Sequence, residues 1–171
     1  MKKTHKSLSK DTIIPDWQTY FMNIARVVKT RGNCLLYQVG AVLVQGRKII
    51  ATGYNGTPQG VPNCMEGGCA RCNNKKLGKI ASGEHKGTCL CVHAEINSLL
   101  QCARHGIASE GAVMYTTTSP CMLCAKEMLN AGIKGVYYEI EDTGEAESLR
   151  LLRRYMKEVK MIKDIQMSKL K

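Results

Sequence analysis

Aromatic side chains are scarce in this sequence: one Trp, one Phe and seven Tyr among 171 residues. That leaves too few rings for an extended base-stacking surface of the kind that grips single-stranded nucleic acid. No window approaches the ~18 consecutive apolar residues of a membrane-spanning helix, so no membrane partner is expected. The opening Met1-Lys2-Lys3-Thr4-His5-Lys6 has charge without an apolar stretch behind it. A secretory signal is therefore not expected, and the cytoplasm is the expected compartment. No segment repeats, and 44% apolar with 23% charged residues excludes a disordered or fibrous chain.

Acidic residues are also in short supply, 14 against 25 Lys and Arg, for a formal charge of +11. The surplus sits at the ends. Lys2, Lys3, Lys6 and Lys10 face only Asp11 at one end, and the last stretch, 150–171, sets eight bases against Glu158 and Asp164. Such ends attract polyanions or phosphate-bearing ligands, or are simply solvated. The expected organisation is a basic N-terminal tail over 1–15, one domain over 16–158 with an insertion over 56–92, and a basic C-terminal segment over 159–171.

What the chain has in excess is cysteine. There are nine: Cys34, Cys64, Cys69, Cys72, Cys89, Cys91, Cys102, Cys121 and Cys124. The count is odd, and in a reducing compartment such spacing points to metal before disulfides. Five of them fall between positions 64 and 91, so more than one zinc per chain is expected.

Asp16 can cap a helix along whose apolar face Trp17, Tyr20, Phe21, Ile24, Ala25 and Val28 recur. Strands follow over 39–44 and 48–52, joined by a turn at Gly46, the first apolar enough to be covered on both faces. From Gly53 to Cys91 apolar periodicity stops and Gly, Pro, Asn, Lys and Cys take over. A stretch that long needs something other than a core to tie it down, and metal would do so. Regular structure resumes with a helix over about 94–104, a strand over 112–117, a helix from Pro120 ending near Gly132, a strand over 135–139 and a helix over about 145–157. Residues 159–165 read equally as a last strand or a helical tail. This alternation predicts an α/β sandwich with a mixed sheet.

His93-Ala94-Glu95 opens one helix and Pro120-Cys121-Met122-Leu123-Cys124 another. Cysteines at i and i+3 share a helix face, and a helix N-terminus favours the thiolate that zinc requires. With His93 they make three protein ligands and leave a fourth tetrahedral position for water, the arrangement of a catalytic zinc. Glu95 stands close enough to exchange protons with that water without being a ligand. In the insertion, Cys34, Cys64, Cys69, Cys72, Cys89 and Cys91, with His85 as a spare, offer seven ligands for one four-coordinate site or for two sites sharing the loop. Cys102, beside Leu99 and Ala103 on a helix face, reads as an ordinary buried thiol.

The His-x-Glu … Pro-Cys-x-x-Cys combination resembles that of the zinc nucleobase deaminases. Over about residues 16–140 the chain is similar to the deoxycytidylate deaminase family. The resemblance rests on Cys34 with Val39-Gly40-Ala41-Val42, on Thr52-Gly53-Tyr54-Asn55-Gly56, on Cys64-Met65-Glu66-Gly67-Gly68-Cys69, on His93-Ala94-Glu95, on Ser119 to Lys126 and on Asn130 to Lys134. It implies a three-layer α/β/α cytidine-deaminase-like fold with a mixed central sheet and a cysteine-rich zinc-binding insertion. It implies His93, Cys121 and Cys124 as ligands of a catalytic zinc, Glu95 as proton shuttle, and hydrolysis of dCMP to dUMP and ammonia, which supplies dUMP for thymidylate synthesis. It further implies a second, structural zinc that includes Cys34 and Cys64, nucleoside triphosphate effectors, and a homo-oligomer between dimer and hexamer. Asn55 would bind the deoxyribose, although a turn role in Tyr-Asn-Gly is equally served. Arg104 would bind the phosphate of substrate or effector, or merely complement a helix C-terminus. The oligomer interface would use Leu149, Leu152 and Met156, unless these pack on their own sheet. After Tyr138 the sequence Glu139-Ile140-Glu141-Asp142 departs from the family, which places a nucleotide-covering tyrosine there.

Two other readings share parts of this pattern. A tRNA base editor would use the same zinc chemistry and suit the basic ends. However, 38 positions separate Asn55 from His93, about twice the span such editors use. A non-catalytic zinc-binding component of a competence or assembly system would have no use for Glu95.

Overall fold

A computed structural model describes residues 14–162 apart from Ser82, Thr143 and Glu145. The basic N-terminal tail and most of the basic C-terminal segment lie outside the described residues. Five strands form one sheet: β1 (Gly40–Gln45), β2 (Lys48–Tyr54), β3 (Val113–Thr118), β4 (Gly135–Ile140) and β5 (Glu158–Met161), in the order β2-β1-β3-β4-β5. β1 runs antiparallel to both β2 and β3, while β3, β4 and β5 are parallel. The sheet is mixed, as the strand–helix alternation predicts.

The period-2 alternation of the strands separates two cores. Val42 and Val44 of β1, Tyr115 of β3 and Tyr137 of β4 point to the face covered by α1 (Trp17–Lys29), where Phe21, Met22 and Ala25 are buried. Ala41, Leu43, Met114 and Val136 point to the other face, covered by α3 (Ala94–His105), α4 (Met122–Asn130) and α5 (Ala146–Tyr155). That makes three layers, α/β/α, and explains why β1 has to be apolar on both sides.

Helix ends follow the local signals. The Asp16 carboxylate accepts from the Thr19 N–H at 2.8 Å, a cap worth about 1 kcal/mol. α3 stops where Gly106 takes a left-handed conformation (φ 65°) and the Ile107 N–H bonds back to the Cys102 carbonyl. Trp17 and Tyr20, expected on the buried face of α1, are 47% and 43% exposed and lean on Phe21 instead.

Three expectations change. The ambiguous C-terminal stretch resolves as β5, paired with β4. The insertion holds a helix that periodicity does not reveal, α2 (Ala70–Lys76), beginning just after Cys69. Leu149, Leu152 and Met156 do not face outward: all three are buried, and Leu152 and Met156 belong to the core cluster beneath α4, so they cannot form an oligomer interface. Cys102 is buried in the same core, as expected.

Candidate active site

β2 and β3 both run antiparallel to β1 and so end at the same edge of the sheet, where α3 and α4 begin side by side. His93 is the N-cap residue of α3 and Cys121 the N-cap residue of α4, so both side chains leave the backbone where their helices begin. Cys124 sits one turn further along α4, on the same face as Cys121. His93 Nδ1 lies 3.4 Å from each sulfur, and the two sulfurs are 3.6 Å apart. Ligands at zinc distances of ~2.1 Å for nitrogen and ~2.3 Å for sulfur sit about 3.5–3.8 Å from one another in a tetrahedron, so the three side chains fit one zinc ion. His93 is exposed while Cys124 is buried, so the group lies between the open side and the protein interior.

Glu95 closes the inner wall. Its side chain is buried, the Cys124 thiol donates to Oε2 at 3.7 Å, and the Thr116 hydroxyl of β3, whose shorter bond at 3.1 Å is to the Thr118 carbonyl, lies 3.4 Å from Oε1. Burial raises its pKa above that of an ordinary carboxylate. The hydrogen bond between the two sulfurs pulls Cys121 down to about 4 and pushes Cys124 up. A set of this kind surrenders its first proton easily, as a metal ligand must.

Asn55 is placed by the end of β2. Its amide oxygen accepts from the Val39 N–H at 2.8 Å and its amide nitrogen donates to the Tyr37 carbonyl at 2.7 Å. The bracing role expected of a turn residue is thus fulfilled. Arg104 is not brought to the His93 group. At ~1.5 Å rise per residue, eleven residues of α3 separate it from His93 by about 16 Å along the axis. Its guanidinium donates instead to Gln59 Oε1 at 2.8 Å. Beside that pair lies a polar cleft of about 490 Å³, lined by Asn33, Gln59, Asn63, Asn97 and Gln101 among others.

The six cysteines of the insertion region do converge. Cys34, Cys64, Cys72 and Cys91 form one group, Cys69, Cys72, Cys89 and Cys91 a second, and His85 belongs to neither. They are the insertion's own buried core, with Leu35 and Leu36 packed against them. The nine cysteines form no disulfide.

The sequence reading missed Thr116, which reaches Glu95 from the strand that leads into Ser119-Pro120-Cys121. A hydroxyl on the inward face of β3 was the available signal. Ser119 was missed as well: its hydroxyl accepts from the Asp142 N–H at 2.9 Å and ties the approach to α4 to the end of β4.

Residues 15–140 match the family model described as "Cytidine and deoxycytidylate deaminase zinc-binding region". A deoxycytidylate deaminase of Schizosaccharomyces pombe is 41% identical over 146 residues, covering 85% of this chain and 44% of the yeast protein. The chain therefore spans less than half the length of that relative. Against the deoxycytidylate deaminase of Mycobacterium phage D29 identity is 38%, over 74% of this chain and 97% of the phage protein. Among solved structures, the dCMP deaminase of cyanophage S-TIM5 in complex with dCMP and dUMP aligns with a TM-score of 0.69 and 28% identity, covering 88% of this chain and 100% of that one. Among the described residues no helix is long and apolar enough to cross a membrane.

Proposed function

The chain belongs to the cytidine and deoxycytidylate deaminase family, and on that premise we propose that it converts dCMP and water to dUMP and ammonia, supplying dUMP for thymidylate synthesis. One observation carries the reading: three zinc-competent side chains at tetrahedral spacing with a buried carboxyl group against them. The choice of dCMP is supported by the phage enzymes, whose whole or nearly whole length this chain covers.

His93, Cys121 and Cys124 would hold zinc. When bound, it supplies the Lewis acidity that makes water a competent nucleophile at neutral pH. Glu95 does the proton work. As the water oxygen bonds to C4 of cytosine, Glu95 takes one of its protons and passes it to N3. It then carries the second proton from the new C4 hydroxyl to the amino nitrogen while the C4–N bond breaks. Ammonia leaves, and C4 keeps the oxygen as the uracil carbonyl. Thr116 lines the wall beside the carboxyl group. Asn55, beyond its bond to Tyr37, has a second amide N–H to offer the deoxyribose.

The same reading includes a second, structural zinc among the insertion cysteines, a cytoplasmic location that suits nine unpaired thiols, and a homo-oligomer between dimer and hexamer. Leu100 and Leu123, both more than half exposed on α3 and α4, are apolar surface an assembly could cover. For a nucleoside triphosphate effector, Arg104 and the polar cleft beside Gln59 supply a cation and hydrogen-bonding walls. Ammonia release measured separately from dCMP, CMP, dCTP and deoxycytidine tests the function. Fastest turnover is expected with dCMP, and preference for any of the other three would overturn that choice.

A further inference from the structure

We propose that the insertion holds two metal ions rather than one, in a cluster of six thiolates in which Cys72 and Cys91 each bridge both ions. The inference rests on the reading of a structural zinc in the insertion and deepens it. Two four-sulfur groups are present, and they overlap in Cys72 and Cys91 only. Two tetrahedra that share an edge have six vertices, and six cysteines are gathered here.

Distances agree with shared-edge tetrahedra. With metal–sulfur bonds of ~2.3 Å, neighbouring sulfurs of one tetrahedron are about 3.8 Å apart. Cys34 and Cys72 sulfurs are separated by 4.0 Å, Cys72 and Cys89 by 3.8 Å, and Cys69 and Cys89 by 3.9 Å. Thus Cys72 stands at tetrahedral spacing from members of both groups. In a single-ion site, two of these sulfurs would stay as thiols packed against a four-thiolate centre that already carries net negative charge.

The backbone separates terminal from bridging positions. The Leu35 N–H donates to Cys64 Sγ at 3.4 Å and the Leu90 N–H to Cys69 Sγ at 3.5 Å. These sulfurs each belong to one group only, where a thiolate bound to a single metal keeps lone pairs for hydrogen bonds. A sulfur shared by two metals has spent one more. Two divalent ions with six thiolates leave a charge of −2, and α2 brings Arg71, Lys75 and Lys76 into the same insertion. Soft thiolates select zinc among the common divalent ions. The cluster also bears on the catalytic centre, because Cys91 lies two residues before His93 and the intervening Val92 is bridged to Gly56.

The test is metal analysis of the full, reduced chain, followed by ¹¹³Cd NMR after exchange of zinc for cadmium. Three metals per chain are expected, with two cadmium resonances coupled to each other through the shared sulfurs and a third uncoupled. Cys72→Ser together with Cys91→Ser should abolish the coupling, whereas Cys102→Ser should leave three metals and the coupling intact. The wild-type spectrum needs no variant to fold. Two metals per chain, or three with no coupled pair, would overturn the cluster. Turnover of dCMP by the zinc-loaded protein, measured before cadmium exchange, keeps the readings apart. Active protein with two metals refutes the cluster alone, and inactive protein with three metals and a coupled pair refutes only the proposed catalysis.

Discussion

Replacing Gly53 with Ala adds a single methyl group at the point where β2 meets the first turn of α3. A Cβ there would lie 2.1 Å from the Ala94 carbonyl oxygen and 2.5 Å from the Ser98 nitrogen, both backbone atoms that no rotamer change can move. Real Cβ contacts essentially never fall below 3.0 Å, so strand and helix must part by about 0.9 Å. Overpacking of this kind costs on the order of 1–3 kcal/mol of stability. The displaced turn begins at His93 and contains Glu95, and a misplacement near 1 Å of catalytic groups costs roughly 10²-fold in rate. The assay is urea unfolding combined with kcat per folded, zinc-loaded molecule. Phe21→Ala is the control: it empties the opposite core, losing about 3–5 kcal/mol, without touching α3. We expect Gly53→Ala to lose the larger factor in kcat although it loses the smaller share of stability. Wild-type kcat and stability in Gly53→Ala would refute the claim that close β2–α3 contact positions the carboxyl group.

Tyr115 is buried against Phe21 and Tyr137, and burial pushes its phenol up to about 12. Its folded pKa exceeds the unfolded value of ~10, so stability is full below pH ~10 and is lost as the pH rises toward 12, by about 2 kcal/mol. Unfolding of Tyr115→Phe should show a shallower decline over that window, and identical slopes would contradict the assignment. For the assembly, light scattering at micromolar protein should give a mass of a multiple of 18.9 kDa, and a monomer mass would refute it.

Most of the fold was legible because its signals are local. The Asp16 cap, the two-faced apolar run of β1 and the glycines after α3 and α4 each act within a turn or two of the chain. The grouping of His93, Glu95, Cys121 and Cys124 was legible for the same reason, since the first two share one helix start and the last two another. What escaped is set by tertiary geometry. α2 has no apolar stripe, because its buried anchors are Cys72 and the capping Cys69 and its remaining residues are one Ala with Arg, Asn and Lys. An amphipathic α5 looks the same whether its Leu residues meet a partner or the sheet beneath. The partner of Arg104, Gln59, comes from a loop 45 positions away in the chain and has no local signal. How six cysteines divide among metals depends on sulfur positions contributed by four separate stretches of chain.

The most direct test of the central claim compares wild type and Glu95→Gln for ammonia release from dCMP, with zinc content measured on the same preparations. The account predicts equal zinc content and a loss of turnover of roughly 10²–10⁴-fold, because Glu95 moves protons and is not a ligand. Substantial dCMP turnover by Glu95→Gln at full zinc content would contradict it.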